Sequence, residues 1–374
     1  MLKGHMRFFV VCCVCILIFS LTGVQAESDK YADPQRKIVL SFVGDCNFGD
    51  AYYRMDESDS LKNVISEHGD EWLFSGVKDI FLGDDATFMN LEAIWTNRTY
   101  QMASKNNNII GSKTYVNQLI KNGIDAVNTA TNHCMDFGQI GYDDMMDVLD
   151  QAGITHFGTI TGKTDVLAVY ETKGIRIGAL GYSLPQDYDI PKIRGRIRQL
   201  REMGCDLVIV SLHWGTQAKN GDMKATALES WQTGYAKEVI DAGADVIWGH
   251  HPGVLQPIMI YKGKPVFFST GTFVSGIMTD VIRYTGVFQL QYVMDENGAP
   301  VLESLQVIPC ITGERGDYRV SVLEDEAERE NCLSMLIGKK DIAEMQNLPD
   351  EFITDGNFMF SFMSNNEENI ITED

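Results

Sequence analysis

Seven side chains able to ligate a metal ion or carry a proton stand where an apolar run of the sequence ends. Four of the chain's seven histidines are among them, which random placement would rarely produce. Carboxylates, an amide oxygen and imidazoles together suit Mn, Fe or Zn, bound as one ion or as a pair. The seven residues are Asp45, Glu92, Asn132, His133, His213, His250 and His251.

The apolar runs that precede these residues have the length and the β-rich composition of buried strands. Strands are predicted at 38–43, 87–91, 126–130, 176–180, 207–212, 246–248 and 266–268. Helical spacing over 142–152 and 227–242 alternates with them, which is typical of an α/β protein. Because ligands of such sheets bind beyond the carboxyl ends of the strands, we expect the seven side chains to share one site.

A hairpin is predicted near the end of the main domain. Strands at 287–294 and 301–307 flank the turn 295–298, where Gly298 can adopt a positive φ. The sheet is therefore expected to be mixed. Residues 37–312 are assigned to this domain, and 313–374 to an acidic C-terminal appendage with a helix around Leu333 and Leu336.

Two ions held about 3.5–4 Å apart can grip a phosphoryl oxygen and generate a hydroxide nucleophile. Glu92 could bridge such a pair, and His133 could donate a proton to the leaving oxygen. Each residue also has an ordinary structural role open to it. Asp45 could cap a helix, Asn132 could serve a turn, and His213 could be a packed ring.

Five sequence blocks resemble the CapA family of poly-γ-glutamate capsule biosynthesis proteins, in that family's order. The resemblance covers about residues 37–275 and rests on the blocks together, since any one alone is weak. A sixth stretch, 268–274, is similar to the family's final block. The five blocks are 41–45, 90–92, 131–133 with 136–138, 213–215, and 249–252 followed by 254–256.

The resemblance implies a calcineurin-like metallophosphoesterase fold, an α/β β-sandwich of mixed sheets flanked by helices. It also implies that a divalent ion is the cofactor and that His133 is the catalytic acid. Residues expected to contact substrate are Asn47, Trp214, His251 and Gln256. The implied metal ligands are Asp45, Glu92, Asn132, His213 and His250.

This sequence departs from those patterns at three places. The superfamily's Asp-x-His is Asp45-Cys46-Asn47 here, Gly253 replaces a histidine of the family, and Gln217 replaces a glutamate. A mononuclear or degenerate site is therefore an open alternative. Cys46 and Cys134 adjoin expected ligands, so a thiolate ligand is a further possibility, although small packed side chains are the commoner case.

The first 26 residues have the pattern of a secretory signal. Lys3 and Arg7 precede an apolar run over 8–21, and 24–26 fits a small-x-small cleavage site. The run is shorter than the roughly 20 residues of a membrane span, although an uncleaved anchor is the alternative. We therefore expect a signal peptide that engages the membrane during export, a linker over 27–36, and an extracytoplasmic or cell-surface location.

The formal net charge is −21, which disfavours nucleic-acid partners and repels anionic polymers unless a basic patch or a cation intervenes.

The leading hypothesis is synthesis, export or processing of an anionic surface polymer, with the polymer or capsule-synthesis membrane proteins as partners and a phosphoesterase-like hydrolytic site. The alternatives are a non-catalytic assembly factor and a general extracytoplasmic phosphoesterase.

Overall fold

The computed structural model describes residues 37–159, 165–183, 189–218, 227–277, 284–337, 353–354 and 357–361. The predicted signal peptide, the linker and most of the chain beyond residue 337 lie outside these ranges. Within them, no helix is both long enough and apolar enough to cross a membrane.

Nineteen strands are found in the described part of the chain. They are β1 Lys37–Ala51, β2 Ala86–Leu91, β3 Ile94–Trp95, β4 Ile109–Gly111, β5 Ala126–Asn128, β6 Thr155–Thr159, β7 Asp165–Val166, β8 Ala168–Thr172, β9 Ile175–Ser183, β10 Leu207–His213, β11 Val246–His250, β12 Ile258–Tyr261, β13 Lys264–Phe267, β14 Thr272–Gly276, β15 Tyr284–Met294, β16 Pro300–Ile311, β17 Ser321–Val322, β18 Ile353–Thr354 and β19 Asn357–Ser361.

The described α-helices are α1 Leu61–His68, α2 Lys78–Gly83, α3 Val116–Asn122, α4 Gly138–Ala152, α5 Ile190–Glu202, α6 Gln232–Asp241 and α7 Glu326–Ile337. Short 3-10 helices span Tyr52–Arg54 and Lys113–Tyr115. Helix α4 ends where its sequence predicts, at Gly153, whose φ of 72° closes the last turn.

The strands form two mixed sheets. The larger has the order β18-β19-β16-β15-β1-β2-β5-β6-β7, with β14 and β4 pairing with β1, β3 with β4, and β17 with β16. In it, β1, β2, β5 and β6 are parallel, whereas β15 and β16 form the predicted antiparallel hairpin. The smaller sheet has the order β12-β13-β11-β10-β9-β8, with a parallel centre of β9, β10, β11 and β13.

The two sheets face each other across a shared apolar core. Phe42 of β1 stacks on Phe88 at 5.2 Å and meets Trp248 of the other sheet edge-on at 5.5 Å, measured between ring centroids. A second core lies under α1 to α4 on the outer face of the larger sheet, and a third lies under α5 and α6. The result is a helix–sheet–sheet–helix arrangement, which confirms the predicted fold class.

The predicted strands are all present, but β1 is longer than expected. It continues past Gly44 to Ala51 because its pairing changes partners: β15 pairs with its first half, and β14 and β4 with its second half. The register shift between Phe42 and Asp45 marks this change. Asp45 therefore lies inside a strand, at an irregularity, and does not follow the strand's end.

The segment after residue 312 joins the main domain as far as the structure describes it. Strand β17 pairs with β16, and the side chains of Leu333 and Leu336 on α7 are buried in the core between the sheets. Burying these leucines against the hairpin explains why this helix docks despite its acidic first turn.

Candidate metal centre

Three side chains place their ligand atoms within 4.8 Å of one another: Glu92, His213 and His251. They come from the carboxyl ends of β2, β10 and β11, so one strand belongs to the larger sheet and two to the smaller. Nε2 of His213 lies 3.4 Å from Oε1 of Glu92 and 3.0 Å from Nδ1 of His251. The parallel register His213↔His250 brings the two histidine strands to one level.

Burial sets the protonation of this cluster. It lowers the pKa of His213 well below the ordinary value, and the neighbouring imidazoles lower it further. The pKa of His251 is also lowered, mainly by burial. Burial and the charge of Asp45 raise the pKa of Glu92 well above its ordinary value. Both imidazoles are therefore neutral at pH 7 and hold a nitrogen lone pair available for a cation.

The polar atoms of the cluster fit a divalent ion better than they fit one another. Nε2 of His213 lies 3.0 Å from Oδ1 of Asn132 and equally far from Nδ1 of His251, yet a ring nitrogen carries at most one hydrogen. Among the described residues, Nδ1 of His213 and Nε2 of His250 are buried without a hydrogen bond. A carboxylate, an amide oxygen and two imidazoles are a suitable donor set for one Mn, Fe or Zn ion.

Asp45 contacts the two adjacent histidines His250 and His251. Its Oδ2 accepts a hydrogen bond from the backbone N–H of His251 at 3.0 Å, and its Oδ1 lies 3.2 Å from Nδ1 of His250. His251 has a φ of 96°, a conformation that non-glycine residues adopt at a cost of roughly 1–3 kcal/mol. The Asp45 contact therefore helps to hold His251 in a strained conformation that directs its ring into the cluster.

Two buried asparagines hold Asp45 in turn. Nδ2 of Asn90 donates to Oδ1 of Asp45 at 2.8 Å, and Nδ2 of Asn128 donates to Oδ1 of Asn90 at 2.7 Å. These residues stand at the same level on adjacent parallel strands, in the registers Asp45↔Asn90 and Asn90↔Asn128. The row of amides thus fixes the carboxylate from within the sheet.

His133 flanks the cluster on the loop after β5. Its Nδ1 lies 2.7 Å from Oδ2 of Asp136, and its Nε2 lies 4.0 Å from Oε1 of Glu92. Because a carboxylate only accepts hydrogen bonds, Asp136 holds the hydrogen on Nδ1. Lys105 forms an ion pair with Asp136 and donates to the backbone carbonyl of Asn132 at 3.0 Å. A lysine therefore stands at the edge of the cluster.

The structure places the adjacent histidines His250 and His251 in surroundings that differ from their predicted roles. His251, expected to contact substrate, lies in the three-residue cluster, whereas His250, expected to be a ligand, lies against Trp248 at 4.3 Å and beside Asp45. The positive φ of His251 turns its side chain away from the strand's alternation, which no periodic pattern predicts. Asn132 is exposed at the rim, with its amide oxygen on His213.

The remaining predicted substrate contacts fall in different surroundings. Asn47 hydrogen-bonds Glu92 and accepts from Ser275 at 3.1 Å, so it borders the cluster. Trp214 is fully buried in the third core, where its ring stacks on Phe268 at 5.6 Å and its Nε1 donates to that residue's carbonyl. The structure thus places the Trp214 ring inside that core, and its contact with substrate stays a prediction.

Gln256 is also buried, and its amide donates to the carbonyl of Ala227 at 3.3 Å.

Cys46 and Cys134 pack in the core under α1 to α4, and burial raises the pKa of Cys46 well above its ordinary value. Both side chains are members of that apolar core, so the packed-side-chain interpretation describes them.

Sequence reasoning missed Lys105, Asp136 and the two asparagines Asn90 and Asn128. Asp136 follows His133 by three residues, a spacing that could have paired them. Lys105 lies in a polar loop with no distinguishing pattern. The asparagines lie inside strands, where their burial at 0% exposure is the signal, and only the fold reveals it.

Two facing mixed sheets between helical layers, with carboxylate and imidazole groups gathered at strand ends, define a metallophosphoesterase-like α/β fold. Residues 39–277 match the family model described as bacterial capsule synthesis protein PGA_cap. Since that is more than half of the chain, the protein belongs to this family, and the resemblance to CapA proteins is confirmed.

Individual relatives agree with the family. The chain is 25% identical over 315 residues to the capsule biosynthesis protein CapA of Bacillus anthracis, covering 78% of this chain and 72% of that protein. It is 28% identical over 291 residues to the PGA biosynthesis protein CapA of Bacillus subtilis strain 168, covering 71% of each. A hypothetical protein from Thermus thermophilus is a distant structural match, with a TM-score of 0.41, 16% identity, and coverage of 73% of this chain and 98% of that one.

Proposed function

We propose that this protein is exported and acts in the synthesis, export or processing of a poly-γ-glutamate capsule. In this proposal, one divalent ion is bound by Glu92, His213 and His251. The family description and the names of the Bacillus relatives support the capsule role. The observation that carries the metal-dependent part is the cluster of three ligand atoms within 4.8 Å, built from neutral imidazoles and a buried carboxyl.

When bound, such an ion polarises a carbonyl or phosphoryl oxygen and lowers the pKa of a bound water. The protein's own groups then have distinct tasks. His133, held through Nδ1 by Asp136, presents Nε2 toward the cluster and can pass a proton to a leaving group. Asp45 and its two asparagines keep His251 in place. The reaction class is therefore hydrolysis of an amide or a phosphoester.

An anionic polymer must overcome the repulsion of a chain with a net charge of −21. Lys105, which is ion-paired with Asp136, places an ammonium group beside the cluster, and the metal ion would supply an uncompensated positive charge. Both would face the carboxylates of a glutamate chain, because Lys105 is partly exposed at the rim formed by Asn132. This local charge is the feature that makes a polyanionic substrate acceptable to an acidic protein.

Metal analysis tests the first part. The protein, purified without chelator and dialysed, should retain about one Mn, Fe or Zn ion per chain by inductively coupled plasma mass spectrometry. His213→Ala and His251→Ala should each remove it. His156→Ala is the matched control, because His156 pairs with Asp150 outside the cluster and its loss should leave the metal content unchanged. Equal metal content in all four proteins would exclude the proposed ligands.

A capsule assay tests the second part. The gene is expressed in a Bacillus subtilis strain lacking its PGA biosynthesis protein CapA, and extracellular polyglutamate is measured by amount and chain length. Wild type should restore the polymer, His251→Ala should not, and His156→Ala should behave as wild type. Failure of the wild type, made and exported at normal levels, would count against the capsule role.

A non-catalytic assembly factor is the second candidate, favoured by three observations. Gly253 provides no side-chain ligand, Gln217 is exposed, and the Asp45 carboxylate already takes hydrogen bonds from Asn90 and His251. The site therefore has enough side-chain ligands for one metal ion but too few for a pair. If His251→Ala loses its metal yet restores polymer of normal length, the assembly role is correct and the hydrolytic one is wrong.

A further inference from the structure

A cleft of about 490 Å³ opens on the helical side of the larger sheet. Helix α1 forms one wall, and β4 with the 3-10 helix Lys113–Tyr115 forms the other. Its floor includes Asp50, which lies five residues further along β1 than Asp45, so the cleft is separate from the metal cluster. The volume is within the range of roughly 300–1,000 Å³ for sites that bind small molecules.

A buried carboxylate that makes hydrogen bonds to backbone N–H groups forms part of the floor. Asp50 is 2% exposed, and its two oxygens accept one backbone N–H each, from Leu61 at 2.8 Å and Lys62 at 3.0 Å. Among the described residues, no lysine or arginine side chain forms an ion pair with it; the Lys62 ammonium pairs with Asp56. Burial raises the pKa of Asp50 to about 6, although the two backbone hydrogen bonds and the charges of Lys62 and Arg54 act in the opposite direction. The carboxylate is mostly ionised at pH 7 and keeps unused acceptor capacity.

A tyrosine hydroxyl lies near this carboxylate. Tyr115 lines the cleft, is 4% exposed, and has its ring packed on Phe48 at 5.3 Å. Within the described part of the chain, its hydroxyl makes no hydrogen bond. Asp50 and Tyr115 line the same cleft, and burial together with the negative charge of Asp50 raises the pKa of Tyr115. A buried carboxylate and a tyrosine hydroxyl that can accept a further hydrogen bond thus line one cleft.

We propose that this cleft binds a small ligand through a primary aliphatic ammonium group. Asp50 would accept two of its N–H groups and supply the opposite charge, and the Tyr115 oxygen would accept the third. The hydroxyls of Ser66 and Thr114 at the mouth would contact the rest of the ligand. A neutral polyol could use the same hydrogen bonds, but it would leave the Asp50 charge uncompensated in a buried site, which is costly.

The test uses two molecules of equal length that differ in charge. Isothermal titration of the full chain at pH 7.5 and about 150 mM NaCl compares 1,4-diaminobutane with 1,4-butanediol; the salt screens diffuse attraction to the acidic surface. The diamine should bind saturably at one site and raise the melting temperature, whereas the diol should do neither.

Two variants localise the effect. Asp50→Asn keeps an oxygen for the helix N–H groups and should weaken diamine binding at least about tenfold. Ser66→Trp leaves every charge in place and fills the mouth of the cleft from an exposed position, so it should abolish binding while the protein stays folded. Absence of saturable diamine binding, equal binding of the diol, or unchanged binding in Ser66→Trp would each overturn the proposal.

Discussion

Replacing Asn90 by alanine should both destabilise the protein and weaken metal binding. Asn90 is 0% exposed and sits between two polar partners: it donates to Asp45 at 2.8 Å and accepts from Asn128 at 2.7 Å. Alanine removes both hydrogen bonds and leaves the Asp45 and Asn128 atoms without that partner. Asp45 then holds the backbone of His251 less firmly.

The expected size of the effect follows from the two bonds. A hydrogen bond to a charged group contributes about 1.5–3 kcal/mol and a neutral one about 0.5–1.5 kcal/mol. Asn90→Ala should therefore lower the free energy of unfolding by about 2–4.5 kcal/mol. Groups that orient metal ligands typically change metal affinity by about 10–100-fold when they are lost, and the same range is expected here.

Denaturant unfolding and metal titration together measure both effects. Asn122→Ala is the matched control: Asn122 is also 0% exposed and donates two hydrogen bonds, to the carbonyls of Asp70 at 3.0 Å and Gln118 at 2.8 Å, but it lies on α3. Both variants should be destabilised, and only Asn90→Ala should lose metal affinity. Equal metal affinity in the two variants would show that the asparagine row does not support the cluster.

Three further outcomes are expected. Burial raises the pKa of Asp84 to about 7. Because the folded state then binds the proton more tightly than the unfolded state, this stabilisation is complete below an unfolded pKa of about 3.9 and is lost as the pH rises through the folded value. The free energy of unfolding should change by at most about 1.4 kcal/mol per pH unit, and by less because Asp84 is partly exposed. Asp84→Asn should flatten this pH dependence in unfolding measurements from about pH 4 to 8. Lys105→Gln should weaken binding of oligomeric γ-glutamate several-fold while its metal content is unchanged, and Lys105→Arg should keep most of the wild-type binding. Wild-type binding in both variants would show that Lys105 takes no part. Gly181→Ala should disturb the metal site indirectly, because the added Cβ would overlap Oδ1 of Asn128; wild-type metal affinity in a folded Gly181→Ala protein would contradict this.

Much of the fold follows from local pattern. The apolar runs are strands because their side chains are buried on both faces, as in β10, where every residue is buried. The hairpin follows from Gly298, whose φ of 79° the turn requires. The extension of β1 beyond Gly44 was not predictable, because it depends on β14 and β4, strands that are distant in the chain.

Local pattern was enough to predict that carboxylate, amide and imidazole groups would gather at strand ends, since strand period and strand length are local properties. Tertiary packing decided which of the adjacent histidines His250 and His251 joins the cluster, because this depends on the strained backbone of His251 and its hydrogen bond to Asp45. The burial of Trp214 in a core and the approach of Lys105 to His133, at 3.2 Å, from a loop have the same origin. Contacts between segments far apart in sequence are set by how layers pack, and no local pattern encodes them.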